Sequence, residues 1–218
     1  MTAFLNNLGL TYYSTPKVAC TSLKFAAFEI ENGFSFNAFV ANGLRRHIHN
    51  FYPTLEFARA RERDLNGNTR IAVIRDPIDR FLSAYSNRVV RHDELSEEML
   101  KDSKSRMELC ARPSIGQFIE KLEDYRAVSN SIRHHTNSQV HFLGSDPSYY
   151  DHLFKLSEIK EIASLFSERA GRQIIIPHQQ RGGNVIHRSE LSGSQVIRIM
   201  RFYDEDYRSF GAFGDFVS

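Results

Sequence analysis

Residues 10–33 read LTYYSTPKVACTSLKFAAFEIENG, and the order of residue types specifies a strand, a loop and a helix in succession. LTYYSTP is short and β-prone. VACTS is small and polar, and LKFAAFEIEN is helix-like up to Gly33, the residue type that best closes a helix. A strand that runs through a small-residue loop into a helix grips phosphate, because backbone N–H groups and the positive helix end both face the anion. Within PKVACTSLK, Lys17 adds a mobile point charge, Ala19 lets the backbone approach closely, and the Thr21 and Ser22 hydroxyls can donate near the helix start. The loop contains no glycine and lacks the GK[ST] ending of an ordinary P-loop, which counts against a nucleoside triphosphatase. Alone, the stretch also fits a plain turn before a capped helix.

A second strand–helix unit changes that balance. Residues 69–85, TRIAVIRDPIDRFLSAY, begin with a β-branched run that reads as a buried parallel strand. Pro77 follows at a natural first-helical position, and the apolar residues after it recur three or four apart. Arg75 stands at the carboxyl end of this strand, where open α/β sheets bind ligands, and Ser83 lies on the next helix. A strand-end guanidinium and a helix hydroxyl can hold an anion from two sides.

Around these units the chain alternates strand and helix signals. A helix is expected near Leu55–Arg63, and residues 93–124 read as helical and charged, an outer helical layer. HLFKL at 152–156 and QIIIP at 173–177 are strand candidates that flank a helix over 157–171. Ser192 and Gln195 form a capping box for a final helix through Tyr207. The alternation argues for an α/β fold around a mainly parallel central sheet, a P-loop-like three-layer sandwich with helices on both faces, as one domain over residues 1–218.

The bulk composition excludes several classes. With 28 basic and 26 acidic residues the net charge of +2 gives no ground for a nucleic-acid partner, so an anion site must be local. The nine histidines and two cysteines show no zinc-site spacing, and no metal is expected. Cys20 and Cys110 are too few for a disulfide framework, which points to a reducing compartment, the cytoplasm. No signal peptide is recognised, and no stretch approaches the roughly 18 apolar residues of a membrane span. Cys20 itself reads as a small buried thiol or a redox group.

PKVACTS resembles the 5′-phosphosulfate loop of sulfotransferases that use 3′-phosphoadenosine 5′-phosphosulfate (PAPS), and RDPIDRFLSAY resembles their 3′-phosphate motif. The likeness runs more thinly along most of the chain and is nearest to the Golgi-type carbohydrate branch, which includes heparan sulfate 2-O-sulfotransferase. It implies that PAPS is the co-substrate and that Lys17 contacts the transferring sulfuryl group. It also implies that Ala19, Cys20, Thr21, Ser22 and Leu23 line the 5′ side and that Arg75 and Ser83 bind the 3′-phosphate. The sequence departs from the pattern at Leu23, where an aromatic residue is usual, and the chain contains no tryptophan, so adenine must stack on something else.

Sulfuryl transfer to a hydroxyl also needs a base, and histidine suits neutral pH. RRHIHNFYP at 45–53 resembles the His-x-His segment of the 2-O-sulfotransferases, which makes His49 the first candidate and His47 its assistant. In a strand the two rings would share one face and could simply cover the sheet. His134 and His135 are rivals, and Glu29 and Glu56 are more distant ones. HQQRGGNVIH at 178–187 reads either as a basic loop that brings Arg181 to the nucleotide or as a surface turn, and Lys24 either as an aid to anion binding or as a solvated helix lysine. The expected acceptor is a hydroxyl-bearing carbohydrate. A P-loop kinase and a non-catalytic nucleotide-binding module are the alternatives.

Overall fold

A computed structural model describes residues 2–64, 67–101, 109–177, 186–214 and 216. In chain order the strands are β1 (Ala3–Leu5), β2 (Leu10–Tyr13), β3 (Phe39–Ala41), β4 (Leu44–Arg46), β5 (Thr69–Ile74) and β6 (His152–Lys155). The helices are α1 (Cys20–Asn32), α2 (Ile48–Phe51), α3 (Phe57–Glu62), α4 (Pro77–Tyr85), α5 (Ile115–Glu120), α6 (Leu122–Val128), α7 (Asn130–Thr136), α8 (Gln139–Leu143), α9 (Ile159–Ala170), α10 (Gly193–Phe202) and α11 (Asp204–Gly214). No helix among the described residues is long and apolar enough to cross a membrane. The chain divides into two compact units, Met1–Arg75 with Gln139–Arg181 and Ala212–Gly214, and Asp76–Ser138 with Gly182–Gly211 and Asp215–Ser218.

The first unit is built on a mixed four-stranded sheet of order β1-β2-β5-β6. β1 runs antiparallel to β2, while β2, β5 and β6 are parallel, with Tyr12 opposite Ile71 and Ile71 opposite His152. All of β2 and Ile71–Ile74 of β5 are buried, which is why these strands read as near-continuous runs rather than alternating ones. Tyr12, Val18, Leu23, Phe28, Ile48, Ile71 and Phe166 belong to one core, so a loop residue and the first turn of α1 are anchored with the sheet. The Asp64 carboxylate accepts from Thr11 Oγ1 at 2.5 Å, Tyr13 Oη at 3.1 Å and Arg70 Nε at 2.7 Å, tying β2 to β5. β3 and β4 form a separate antiparallel hairpin.

The second unit is helical, and its core gathers Ile78, Phe81, Phe118, Tyr125 and Tyr203. Arg80 is fully buried there, with its guanidinium 5.0 Å from the Tyr203 ring centre, 2.5 Å from the Asn137 carbonyl and 3.8 Å from the Asp206 carboxylate.

Three expectations need correction. QIIIP forms no strand, because the Ile174 N–H donates to Ser167 Oγ at 2.8 Å instead of to a ladder. Among the described residues of the supposed helical run 93–124, residues 97–101 are turns and helix is seen from α5 onward, behind the Ser114–Gln117 capping box. The described ends of the run are held together instead: Asp93 and Arg112 both take positive φ, their side chains pair at 2.6 Å, and Arg112 N–H donates to the Leu95 carbonyl at 2.8 Å. The final helix does start at its Ser192–Gln195 capping box but breaks at Tyr203, whose hydroxyl is held by the Thr136 carbonyl at 2.8 Å.

Candidate active site

Parallel pairing of β2 with β5 sets the loop after Tyr13 and the residue after Ile74 at the same edge of the sheet. Arg75 accordingly reaches the loop: its Nη1 lies 3.4 Å from the Lys17 carbonyl oxygen. Its backbone is fixed by a residue that sequence reasoning missed. The buried Gln139 amide accepts the Arg75 N–H at 3.0 Å and donates to the Arg75 carbonyl at 2.9 Å, a side chain standing in for a neighbouring strand. Sixty-odd residues of chain separate the two, so no spacing rule could have linked them.

The loop is conformationally unusual. Lys17 (φ 70°) and Ala19 (φ 56°) both occupy the left-handed region, where a β-carbon costs roughly 1–2 kcal/mol per residue. Ordinary phosphate loops put glycine at such positions; here lysine and alanine hold them, with Val18 between them in the core. Backbone turns of this kind aim N–H groups toward one point and make anion-binding concavities. Ala19 is also the N-cap of α1, whose own hydrogen bonding begins with Leu23 N–H to the Ala19 carbonyl at 3.1 Å. The N–H groups of Cys20, Thr21 and Ser22 therefore stand in the turn before that first bond. Thr15 Oγ1, at the head of the loop, is buried and has no hydrogen-bond partner among the described residues, as a site shaped for an added acceptor or donor would leave it. These features fit a phosphate-bearing ligand.

The candidate residues are distributed as follows. Lys17, Ala19 and Cys20 are half-buried, and Thr21 and Ser22 are buried. Leu23 sends its side chain into the core. Arg75 stands beside the loop in the first unit, and Ser83 lies half-buried on α4 in the second. Arg181 and most of the HQQRGGNVIH segment lie outside the described residues.

His49 comes to the loop. Its Nε2 is 3.1 Å from Thr21 Oγ1 and its Nδ1 is 3.1 Å from Lys24 Nζ. The His-x-His pair is not a strand: His47 is the N-cap of α2, its Nδ1 accepting the His49 N–H at 3.4 Å while Asn50 Oδ1 accepts the His47 N–H at 2.7 Å. The two rings stack with centres 5.2 Å apart. Burial, then the charges of Arg45 and Lys24, push the His47 imidazole below its ordinary value, so it is neutral near pH 7. Lys24 is not the solvated lysine that its helix suggested, being 0% exposed and donating to Thr54 Oγ1 at 2.9 Å.

The rival bases have contacts of their own. His134 and His135 belong to α7 in the second unit, and His135 Nδ1 sits 2.8 Å from its own helix carbonyl at Ser131. Glu29 pairs with Arg172 at 3.4 Å, and Glu56 faces His141 at 3.7 Å. Beyond His49, α2 borders a cavity of about 580 Å³ lined by Phe28, Phe36, Phe39, Phe51 and Tyr52 with Glu31, whose carboxylate accepts the Tyr52 hydroxyl.

The family model described as "Sulfotransferase family" matches residues 4–213. No curated protein and no solved structure gives a match.

Proposed function

The chain belongs to the sulfotransferase family, and from that premise we propose that it moves the sulfuryl group of PAPS to a hydroxyl on a sugar or glycan, with His49 as general base. In this reading Lys17, Ala19, Cys20, Thr21 and Ser22 hold the 5′-phosphosulfate, with Leu23 anchoring the loop from the core. Arg75 and Ser83 hold the 3′-phosphate. The same reading takes residues 1–218 as one sulfotransferase domain of P-loop-like, three-layer architecture, in keeping with a family match that spans both units.

One observation carries the proposal: Lys17 and Ala19 sit in left-handed conformations with the Arg75 guanidinium 3.4 Å from the Lys17 carbonyl. Strain of this kind is retained where it serves a ligand. Sulfuryl transfer asks the protein to align an in-line attack and to stabilise charge on the bridging oxygen as the old S–O bond breaks. Lys17 is the cation for that oxygen, and the first turn of α1 adds the positive end of its dipole. His49, within hydrogen-bond reach of Thr21 in the first turn of α1, takes the proton of the attacking hydroxyl in this reading. The aromatic cavity beside α2 offers ring faces for an acceptor with an apolar surface and hydroxyl edges.

Thermal unfolding with nucleotides tests the donor. Adenosine 3′,5′-bisphosphate at about 100 times its Kd should stabilise the protein by about 2.7 kcal/mol, and AMP or ATP at equal concentration by clearly less. Equal shifts with AMP would remove the 3′-phosphate assignment. Transfer of labelled sulfate from PAPS to sugar acceptors should persist in EDTA; loss in EDTA with rescue by Mg²⁺ would favour a kinase.

A further inference from the structure

Lys24 is completely enclosed, and among the described residues no carboxylate forms an ion pair with it. An ammonium in that position would hold its charge away from water with no carboxylate beside it among the described residues, which disfavours the charged form. Burial accordingly draws the Lys24 amine below the usual lysine value, with the nearby Cys20 opposing the shift. The choice of form decides the state of His49. An ammonium has only N–H donors; facing His49 Nδ1 at 3.1 Å, it would make that nitrogen the acceptor and leave the imidazole proton on Nε2. Such a histidine could not take a proton at Nε2. A neutral amine instead donates one N–H to Thr54 Oγ1 at 2.9 Å and turns its lone pair to a proton on Nδ1. Nε2 then carries a lone pair and accepts from the Thr21 hydroxyl at 3.1 Å until an acceptor hydroxyl replaces it.

We propose that Lys24 is the positioning residue and proton partner of His49, its neutral amine holding the Nδ1–H form of the ring so that Nε2 can act as the base. The proposal rests on the sulfuryl-transfer reading for its chemistry, though the state of the ring can be read without it. During transfer the acceptor oxygen bonds to sulfur as the bond from sulfur to the 5′-phosphate oxygen breaks, and the electron pair of the broken bond stays on that oxygen. The acceptor proton passes to His49 Nε2 and the Nδ1 proton to Lys24 Nζ. Lys24 ends as an ammonium, and its proton returns to solvent after the products leave. The titratable and charged groups around the pair include Cys20 on α1 and the N-terminal amine, both of which favour the charged form of Lys24, together with His47 stacked on His49 and Arg45 on β4 acting on His47.

The ring state of His49 is measured directly by ¹⁵N NMR of histidine-labelled protein without ligand near pH 7.5. The Nδ1–H form is expected; the Nε2–H form would overturn the proposal whatever the activity proves to be. Lys24→Arg, permanently charged, should convert the ring to Nε2–H and lower turnover on the order of 10²-fold while bisphosphate binding stays within a few-fold. Turnover near the wild-type value in that variant would equally overturn it. Should the larger arginine prevent folding, Lys24→Met fits the apolar surroundings: the acid limb of its pH–rate profile should report loss of one proton where the wild-type pair loses two, and an unchanged limb would count against the proposal. Failure of wild-type protein to bind the bisphosphate or to transfer sulfate would instead fault the functional reading.

Discussion

Lys17 and His49 face different atoms of the same transfer, one the leaving oxygen and the other the incoming hydroxyl, so replacing them should produce different kinetic signatures. Lys17→Ala should lower kcat as well as donor binding, because a cation at the bridging oxygen gains strength as charge develops there. His49→Ala should lower turnover by roughly 10²-fold or more with bisphosphate affinity nearly unchanged. The alanine keeps the N–H that His47 accepts, so the cap of α2 survives and the loss reports on the ring alone. Near-normal turnover in His49→Ala would send the search for the base back to the remaining histidines. Lys17, Thr21 and Arg75 could be picked out of the sequence because each lies in a stretch whose local order already implies an anion site. Thr54 and Gln139 could not, since each earns its place through a partner 30 or 64 residues away, and Lys24 was legible only as an open choice because its burial beside a histidine 25 residues on is not written locally.

The joint between β5 and α4 shows how a short local signal can fix an element boundary. Asp76 is the N-cap of α4, accepting from the Ile78 N–H at 2.8 Å and the Asp79 N–H at 3.2 Å, and Pro77 fills the next position, which needs no N–H. Asp76→Ala should therefore cost about 1 kcal/mol in urea unfolding, while Asp76→Asn, an equally good cap, should cost much less. If the asparagine variant is as weak as the alanine one, the carboxylate contributes through Arg188, 4.0 Å away, and not through the cap. Caps and prolines of this kind are written in adjacent residues, which is why the strand–loop–helix units were readable in advance. QIIIP and the His-x-His segment were misread for the opposite reason. Each has an acceptable strand pattern, but a side chain of the protein, Ser167 Oγ in one case and Asn50 Oδ1 in the other, takes the backbone N–H first.

Hydrophobic spacing identifies which residues become buried and not which of them pack together, so Phe28 and Phe81 look alike in sequence although they belong to different cores. The buried titratable groups are equally invisible, and Lys24 gives one of them a consequence for the stability of the entire chain. Its amine is held below the ordinary lysine value in the folded state, chiefly by burial, and returns to about 10.5 on unfolding. Above that unfolded value both states are neutral, and the group takes nothing from stability. As pH falls from there toward the folded value, the unfolded chain binds a proton that the folded chain refuses, and stability is lost by at most about 1.4 kcal/mol per pH unit. Below the folded value the loss levels off. Lys24→Met removes this contribution, so the variant should be more stable than the parent near neutral pH, with a difference that shrinks steadily toward pH 10.5. Urea unfolding of both proteins at several pH values measures that difference directly and cancels the groups they share. A difference that stays constant across the range would mean that Lys24 keeps its proton inside the fold, and the same result would remove the neutral amine on which the His49 assignment depends.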